Sequence, residues 1–399
     1  MRKLIQLFIG FSLAWAWSFS AIAQTPGGAA YELRKQETNQ IAVSIVVSGM
    51  SCTCARFAED IRNVVNDLTP DGLRVLPILG VGGIQNLEDL LFLKGVDMAT
   101  VDQDHIDYLK KKDPALYANL ESRVNYVTKL YNSEFHVAAR QDVTSFADLR
   151  GKRVSFNLEN SHTHIAADII FEMLGLDTVK SFHDNDDAIQ LLKTDKLDAH
   201  IILTGAPQSA LAKLKSADGV RFLSLTEQDL PGSDRNKLYE RYLPADLTHE
   251  HYPELIQEGQ TVPTIATRTV LAVYNWDEGS VRYRKLEKFV HEFFGRIKLF
   301  DNKSRHPKWN EVNLAVEVPG WTRFKPAQDW LDGNRKVASA RIEPAPRNDA
   351  EMRTAFEKFL KGYQKSADQQ GPLTAKDKDR LFVQFKQFLA FQNIQADSR

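Results

Sequence analysis

Ile41-Ala42-Val43-Ser44-Ile45-Val46-Val47, running on through Ser48-Gly49-Met50-Ser51 into Cys52-Thr53-Cys54-Ala55-Arg56, is the stretch that sets the fold class. Its first seven residues are mostly apolar and rich in β-branched side chains, the composition of a buried strand. Ser48 to Ser51 supply a turn. Ala55, Ala58, Ile61, Val65 and Leu68 then recur at helical spacing, ended by Thr69-Pro70-Asp71-Gly72. A strand apolar on both faces that feeds a helix belongs in a mainly parallel sheet covered by helices.

The pattern repeats outward from there. Leu73 to Leu79 reads as a second strand, with Pro77 marking an edge or a strand end. Gly80-Val81-Gly82-Gly83 turns into a helix through Asn86 to Leu93, and Asp97 to Val101 forms a third strand. The same grammar restarts further on. Strands are predicted at Val124–Tyr131 and Phe135–Ala139, separated by a turn, and then at residues 152–156, 199–203 and 220–224. Helices are expected through Ile165, Ile169, Ile170, Met173 and Leu174 up to Gly175, after Asp186, and from Ala206 to Ala217, with Pro207 placed for a first helical turn. Residues 225–268, rich in Pro, Gly and charge, read as surface excursions before a strand at Thr269–Tyr274 and a helix carrying Leu286, Phe289, Val290 and Phe293. The expected fold is α/β and two-lobed. Lobe 1 comprises residues 24–134 and 269–335, lobe 2 residues 135–268, and the lobes flank a ligand cleft.

Composition narrows the function. The chain has 399 residues, 51 Lys and Arg against 52 Asp and Glu, and no long basic cluster, so nucleic acid is an unsuitable partner. Arg2 and Lys3, an apolar run from Leu4 to Ile22, and Ala21-Ile22-Ala23 before Gln24 have the layout of a secretory signal cleaved after residue 23. The competing reading is a retained membrane anchor. With that segment removed the chain is expected to be soluble, monomeric and periplasmic. Cys52 and Cys54 are the two cysteines. A bridge between them closes a very small ring, and residues two apart at a helix start face apart, so free or easily reduced thiols are expected over a structural bridge. Residues 336–399 carry two amphipathic patterns, Met352 to Tyr363 and Thr374 to Leu389. They predict a helical hairpin, docked on its own domain or available to a partner.

Candidate binding residues gather where strands end and helices begin, the usual ligand side of an open α/β sheet. Ser48, Ser51, Thr53 and Cys54 precede or open the first helix, whose free N–H groups favour an anion. Arg56 either faces the ligand or covers the helix surface. Gly82, Gly83 and Asn86 form a comparable nest, or a tight turn that simply needs glycine. Gln103 and Asp104 follow the third strand; Asp104, or Asp102 instead, is suited to accept an amine. Asn157, Ser161, His162 and Thr163 follow one strand of the second unit, and Gly205, Ala206 and Pro207 another. Cys54 with His162 lacks an orienting third group for thiol catalysis. His162-x-His164 and His249-x-His251 each lack a third metal ligand, so neither enzyme, metal nor cofactor is expected.

These residues resemble the TAXI family of solute-binding subunits of tripartite ATP-independent periplasmic (TRAP) transporters. Ser48 through Ile61 is similar to the family's strand, turn and G-T-Y helix start. Gly80-Val81-Gly82-Gly83-Ile84-Gln85-Asn86-Leu87 is similar to its G-S-x-x-N-L turn, and Gly95 through Asp104 to its G-x-A-D-x-A-x-x-Q segment. Phe146 through Val154, Leu197-Asp198-Ala199, Gly205-Ala206-Pro207 and Val262-Pro263-Thr264 extend the resemblance across residues 40–330. It implies a type II-like periplasmic receptor that hands a carboxylate-bearing solute, an organic anion or amino acid, to membrane permease subunits without turnover. A sensor role without transport is the alternative. Cys52-Thr53-Cys54 replaces G-T-Y, and Ser161-His162-Thr163 replaces S-G-T, so the pocket departs from the family pattern at both helix starts.

Overall fold

The computed structural model of the chain describes residues 28–67, 69, 72–229, 235–341 and 356. The expected export segment and most of the expected C-terminal hairpin lie outside those residues. Helix α1 (Gly28–Ile41), exposed and polar, leads into β1 (Ala42–Val47), in which Val43 to Val47 are all buried. Then come α2 (Thr53–Val65), β2 (Arg74–Leu79), α3 (Ile84–Phe92), β3 (Met98–Asp102), α4 (His105–Lys112) and α5 (Leu120–Arg123). Strand β1 pairs in parallel with both β2 and β3. Pro77 is tolerated because β2 ends the sheet, so its missing N–H breaks no outer ladder.

The second run is β4 (Val124–Arg140), β5 (Arg153–Ser155), α6 (His162–Leu174), β6 (Val179–Ser181), α7 (Asn185–Lys193), β7 (Ala199–Thr204), β8 (Val220–Phe222), α8 (Arg235–Arg241), β9 (Leu243–Thr248) and β10 (Thr261–Tyr274). Helices α9 (Val281–Gly295) and α10 (Lys325–Arg341) follow. One sheet runs β2-β1-β3-β10-β4-β7-β5-β6, with β8 on β4 and β9 on β10. The two parallel sets, β2-β1-β3 and β6-β5-β7, sit at its two ends, each bordered by an antiparallel strand, β10 on β3 and β4 on β7. This is an α/β fold of two lobes, each with its own parallel set.

Two long strands cross between the lobes. Strand β4 pairs with β10 along Val124–Asn132 and onward to Glu134, where its pairing with β7 begins and continues to Ala139. Strand β10 pairs with β9 through Thr261–Ala266 and with β3 through Thr269–Val273. Each lobe has its own apolar core, one including Val46, Leu87, Val101 and Val270, another Phe135, Phe156, Ile170 and Ile201. Each such side chain, fully buried, stabilises the fold by roughly 1.5–3 kcal/mol.

Three expectations are corrected. The two strands expected around residue 132 are one, because the polar residues between them are satisfied inside the sheet: Ser133 Oγ lies 2.8 Å from Thr269 Oγ1 and Glu134 binds Lys308. Residues 206–217 form no helix beyond two 3₁₀ turns, Leu211–Lys213 and Ser216–Asp218. The Gln208 side-chain oxygen Oε1 accepts from Ala210 N and Leu211 N, holding a tight turn in place of a helix start. Residues 225–268 are not mere excursions: they hold α8, β9 and half of β10, where Val262, Thr264 and Ala266 pair with β9.

The chain divides into two compact units, Met1–Ala327 and Gln328–Arg399. All ten strands among the described residues belong to the first. Among the described residues no helix is long and apolar enough to cross a membrane.

Candidate functional site

The cleft lies where β1, β3, β5 and β7 end, and its cavity measures about 310 Å³. Three helices, α2, α6 and α7, begin at it. Cys52 caps α2 and accepts from Cys54 N; Ser161 caps α6 and accepts from His164 N; Asp184 caps α7 and accepts from Asp187 N. Caps leave the other first-turn N–H groups and the positive helix ends near the cleft. Of the predicted residues, Ser48, Ser51, Cys54, Asn157, Ser161, His162 and Thr163 line it. Its remaining lining includes Asp102, Tyr131, Ser133, Asp184, Asn185, Asp186, Thr204 and Thr269.

The lobes meet directly. Thr53 Oγ1 donates to Gly205 O at 2.7 Å and Thr204 Oγ1 donates to Thr53 Oγ1 at 3.2 Å. Asn185 Nδ2 donates to Ser51 Oγ at 2.8 Å, and Gln208 Nε2 to Ser51 O at 3.0 Å. His162 Nδ1 stands 2.7 Å from Asp102 Oδ2, whose other oxygen accepts from Thr269 Oγ1 at 2.8 Å. Gly82 and Gly83 occupy positive φ, +86° and +59°. A Cβ on Gly83 would fall 2.5 Å from Asn160 O and 2.8 Å from His162 N, so glycine lets the α3 turn touch the start of α6. This is a closed arrangement.

Burial and charge set the titration around this seam. Burial alone would raise Asp102, but the charge and hydrogen bond of His162, with help from His105 and Thr269, hold it below the ordinary carboxylate range. Burial, reinforced by the charge of His162, takes His105 down to about 3. Burial and then the charge of Asp102 push Asp104 up to about 6.

Other predicted residues lie elsewhere. Asn86 is buried, its Nδ2 donating to Thr100 O at 3.0 Å. Arg56 covers the helix surface, donating from Nη2 to Ser304 O at 2.8 Å. With Pro207 it borders a different hollow. Ala206 N donates to Glu134 Oε2 at 2.8 Å, behind the cleft. Gln103 donates to Pro319 O, and Asp104 faces Arg241 at 3.7 Å; both line a third hollow near Trp321.

Cys52 and Cys54 are joined as a disulfide, where free or easily reduced thiols were expected. Cys52 is the extended N-cap (φ −74°, ψ 140°) and not yet helical, so its side chain swings toward Cys54 with the Cα atoms 5.2 Å apart. The bridge removes the thiol that a Cys54–His162 nucleophile would need. His164 Nε2 lies 3.2 Å from Asp168, and His249 Nδ1 2.7 Å from Ile256 O, so neither His-x-His pair converges.

Sequence reasoning missed Asn185, whose side chain links Ser51 in one lobe to Asn157 and His200 in the other. The signal was present: like Ser51 and Ser161, it begins a helix just after a strand. Tyr131, Ser133 and Thr269 carried no such mark, because they sit inside the crossing strands.

The model of the NMT1-like family matches residues 70–303. Among solved structures, the chain is similar to a periplasmic transporter protein at 13% identity and a TM-score of 0.43, covering 75% of this chain and 97% of that one. The alkanesulfonate-binding protein SsuA of Xanthomonas axonopodis pv. citri, bound to MOPS, is similar at 14% identity and a TM-score of 0.38, covering 74% and 93%. The regulatory domain of Synechocystis PCC6803 CcmR, in complex with 2-PG, is similar at 11% and 0.39, covering 62% and 95%. All three likenesses are distant.

Proposed function

The chain belongs to the NMT1-like (TAXI) family of solute-binding proteins associated with TRAP transporters, and on that footing we propose that it captures a small carboxylate-bearing solute and delivers it to a TRAP-type permease. It is a periplasmic, non-catalytic solute-binding protein. The observation that carries the ligand class is the convergence of α2, α6 and α7 N-termini on one cleft of about 310 Å³. That volume suits a small solute. Among the described residues its lining contains no Lys or Arg, so a carboxylate would be held by main-chain N–H groups, helix ends and the hydroxyls of Ser51 and Thr163. Asp184 and Asp186, exposed at the start of α7, are suited to an ammonium group, which favours an amino acid over a simple organic anion. On this reading residues 1–23 are removed on export, and closing of the lobes around β4 and β10 traps the solute.

The test is mass spectrometry of solute released from gently purified protein, followed by calorimetric titration with amino acids, dicarboxylates and neutral sugars. An amino acid or carboxylate binding at one site per chain is the expected result. Binding of neutral sugars, with no carboxylate binding at all, would overturn the ligand class.

A further inference from the structure

Asp102 closes β3, His105 opens α4, and His162 opens α6 in the opposite lobe. One donor atom from each lies within 4.8 Å of the other two, and all three residues are buried. The two imidazole rings are 4.6 Å apart between centroids. We propose that these three residues form a binding site for one divalent transition-metal ion of the zinc class, placed at the seam between the lobes.

The donor set is two imidazoles and one carboxylate, which suits Zn²⁺ and its first-row neighbours and is poorly suited to Ca²⁺ or Mg²⁺. Asp102 Oδ2 and His162 Nδ1 are 2.7 Å apart around a shared proton. An ion held at ordinary bond lengths in a tetrahedral site sets two such ligands roughly 3.3 Å apart, so a shift of about half an ångström lets it replace that proton. His162 then carries its hydrogen on Nε2, and any second ring proton passes to solvent. Nε2 of His162 has no partner, so moving the ring breaks no other hydrogen bond. The amide of Asp102 reaches His105 Nδ1 only at 3.4 Å, a long contact that leaves the ring free to turn. Thr269 Oγ1, bonded to the other carboxylate oxygen, supplies the outer support that metal-binding carboxylates usually have.

Three protein ligands leave at least one coordination position. Asp102 and His162 both line the cleft, so that position opens toward the solute. Because His162 comes from the lobe opposite Asp102 and His105, the ion would also hold the cleft shut. The site does not depend on the ligand class proposed above.

Purified full-length protein, stripped with chelator, is titrated with ZnCl2 in competition with a chromophoric chelator. The expected result is one ion per chain, with His105→Gln and His162→Gln each weakening it at least about tenfold. His164→Gln, one turn along α6 and bonded to Asp168, is expected to leave it unchanged. Wild-type protein loaded with Co²⁺ gives a second readout that needs no variant: visible d–d bands and two histidine nitrogens by pulsed EPR. No stoichiometric binding overturns the site, as does binding that survives both glutamine variants. A Co²⁺ spectrum without histidine nitrogen overturns it too, even should the variants fail to fold.

Discussion

Lys308→Met is expected to destabilise the protein by about 3 kcal/mol at pH 7.5, and by less at pH 5.5. Lys308 is 3% exposed, with Nζ 2.6 Å from Glu134 Oε1 and 2.6 Å from Glu311 Oε1. Glu134 is 4% exposed and sits where β4 passes from β10 to β7. Removing the ammonium leaves its carboxylate with Ala206 N–H alone, at 2.8 Å. Breaking a buried pair from one side costs about 3–5 kcal/mol. The lower end applies here for two reasons. Lys129, also buried, is electrostatically coupled to Glu134. Burial already raises Glu134 above the ordinary carboxylate range despite Lys308, so the orphaned group can protonate. Each unit by which its pKa then exceeds the ambient pH limits the cost by about 1.4 kcal/mol, which is why the loss shrinks in acid. The Glu311 contact adds little, because that carboxylate is 40% exposed. Urea unfolding at both pH values, with m held fixed, measures the loss. Adding Glu134→Gln to Lys308→Met is expected to recover most of it. A single-variant loss under about 1 kcal/mol, or no recovery in the double variant, would refute the reasoning.

Two further outcomes follow from the seam and the buried imidazoles. Gly83→Ala puts a methyl group 2.5 Å from Asn160 O and 2.8 Å from His162 N, backbone atoms that no rotamer change can move aside. Its radius of gyration by solution X-ray scattering is expected to exceed that of the wild type, and solute affinity to fall at least about tenfold; an unchanged radius would sink the close-approach argument. Burial takes His136 and His200 down to about 3 and His306 to about 4. The unfolded chain takes up their protons near pH 6.5 while the native state refuses them, so stability is full above that pH and declines as pH falls toward 4. A urea midpoint flat between pH 7 and 5 would contradict this; the lowered Asp148 and Asp198, both at about 2, act only further down.

Much of the fold could be read from residue patterns. β-Branched runs at residues 42–47 and 199–204 are buried strands, and Leu286, Phe289, Val290 and Phe293 face the core of α9. What resisted reading depends on partners distant in sequence. Asn132-Ser133-Glu134 looks like a turn until Thr269 and Lys308 are placed beside it. Thr261–Arg268 looks like a loop until β9 supplies its ladder. The side of the sheet on which the cleft lies was legible because strand ends and helix starts leave local marks. Asn86 and Arg56 carry those same marks, yet their side chains are taken up by Thr100 and Ser304.

The crossing strands also impose an order of assembly on a chain that emerges from its amino end. Strand β4 is synthesised before β5, β6 and β7, so the second lobe can complete its parallel set and its antiparallel border from consecutive chain. The first lobe has no such convenience: Ala99 of β3 finds its neighbour only at Ala272 of β10. Until then β3 presents an open edge, and the loop that must close spans the whole of the other lobe. Its completion is therefore the slow, long-range step of folding, and the first lobe cannot be excised as one consecutive segment, since its border strand follows the second lobe in the chain.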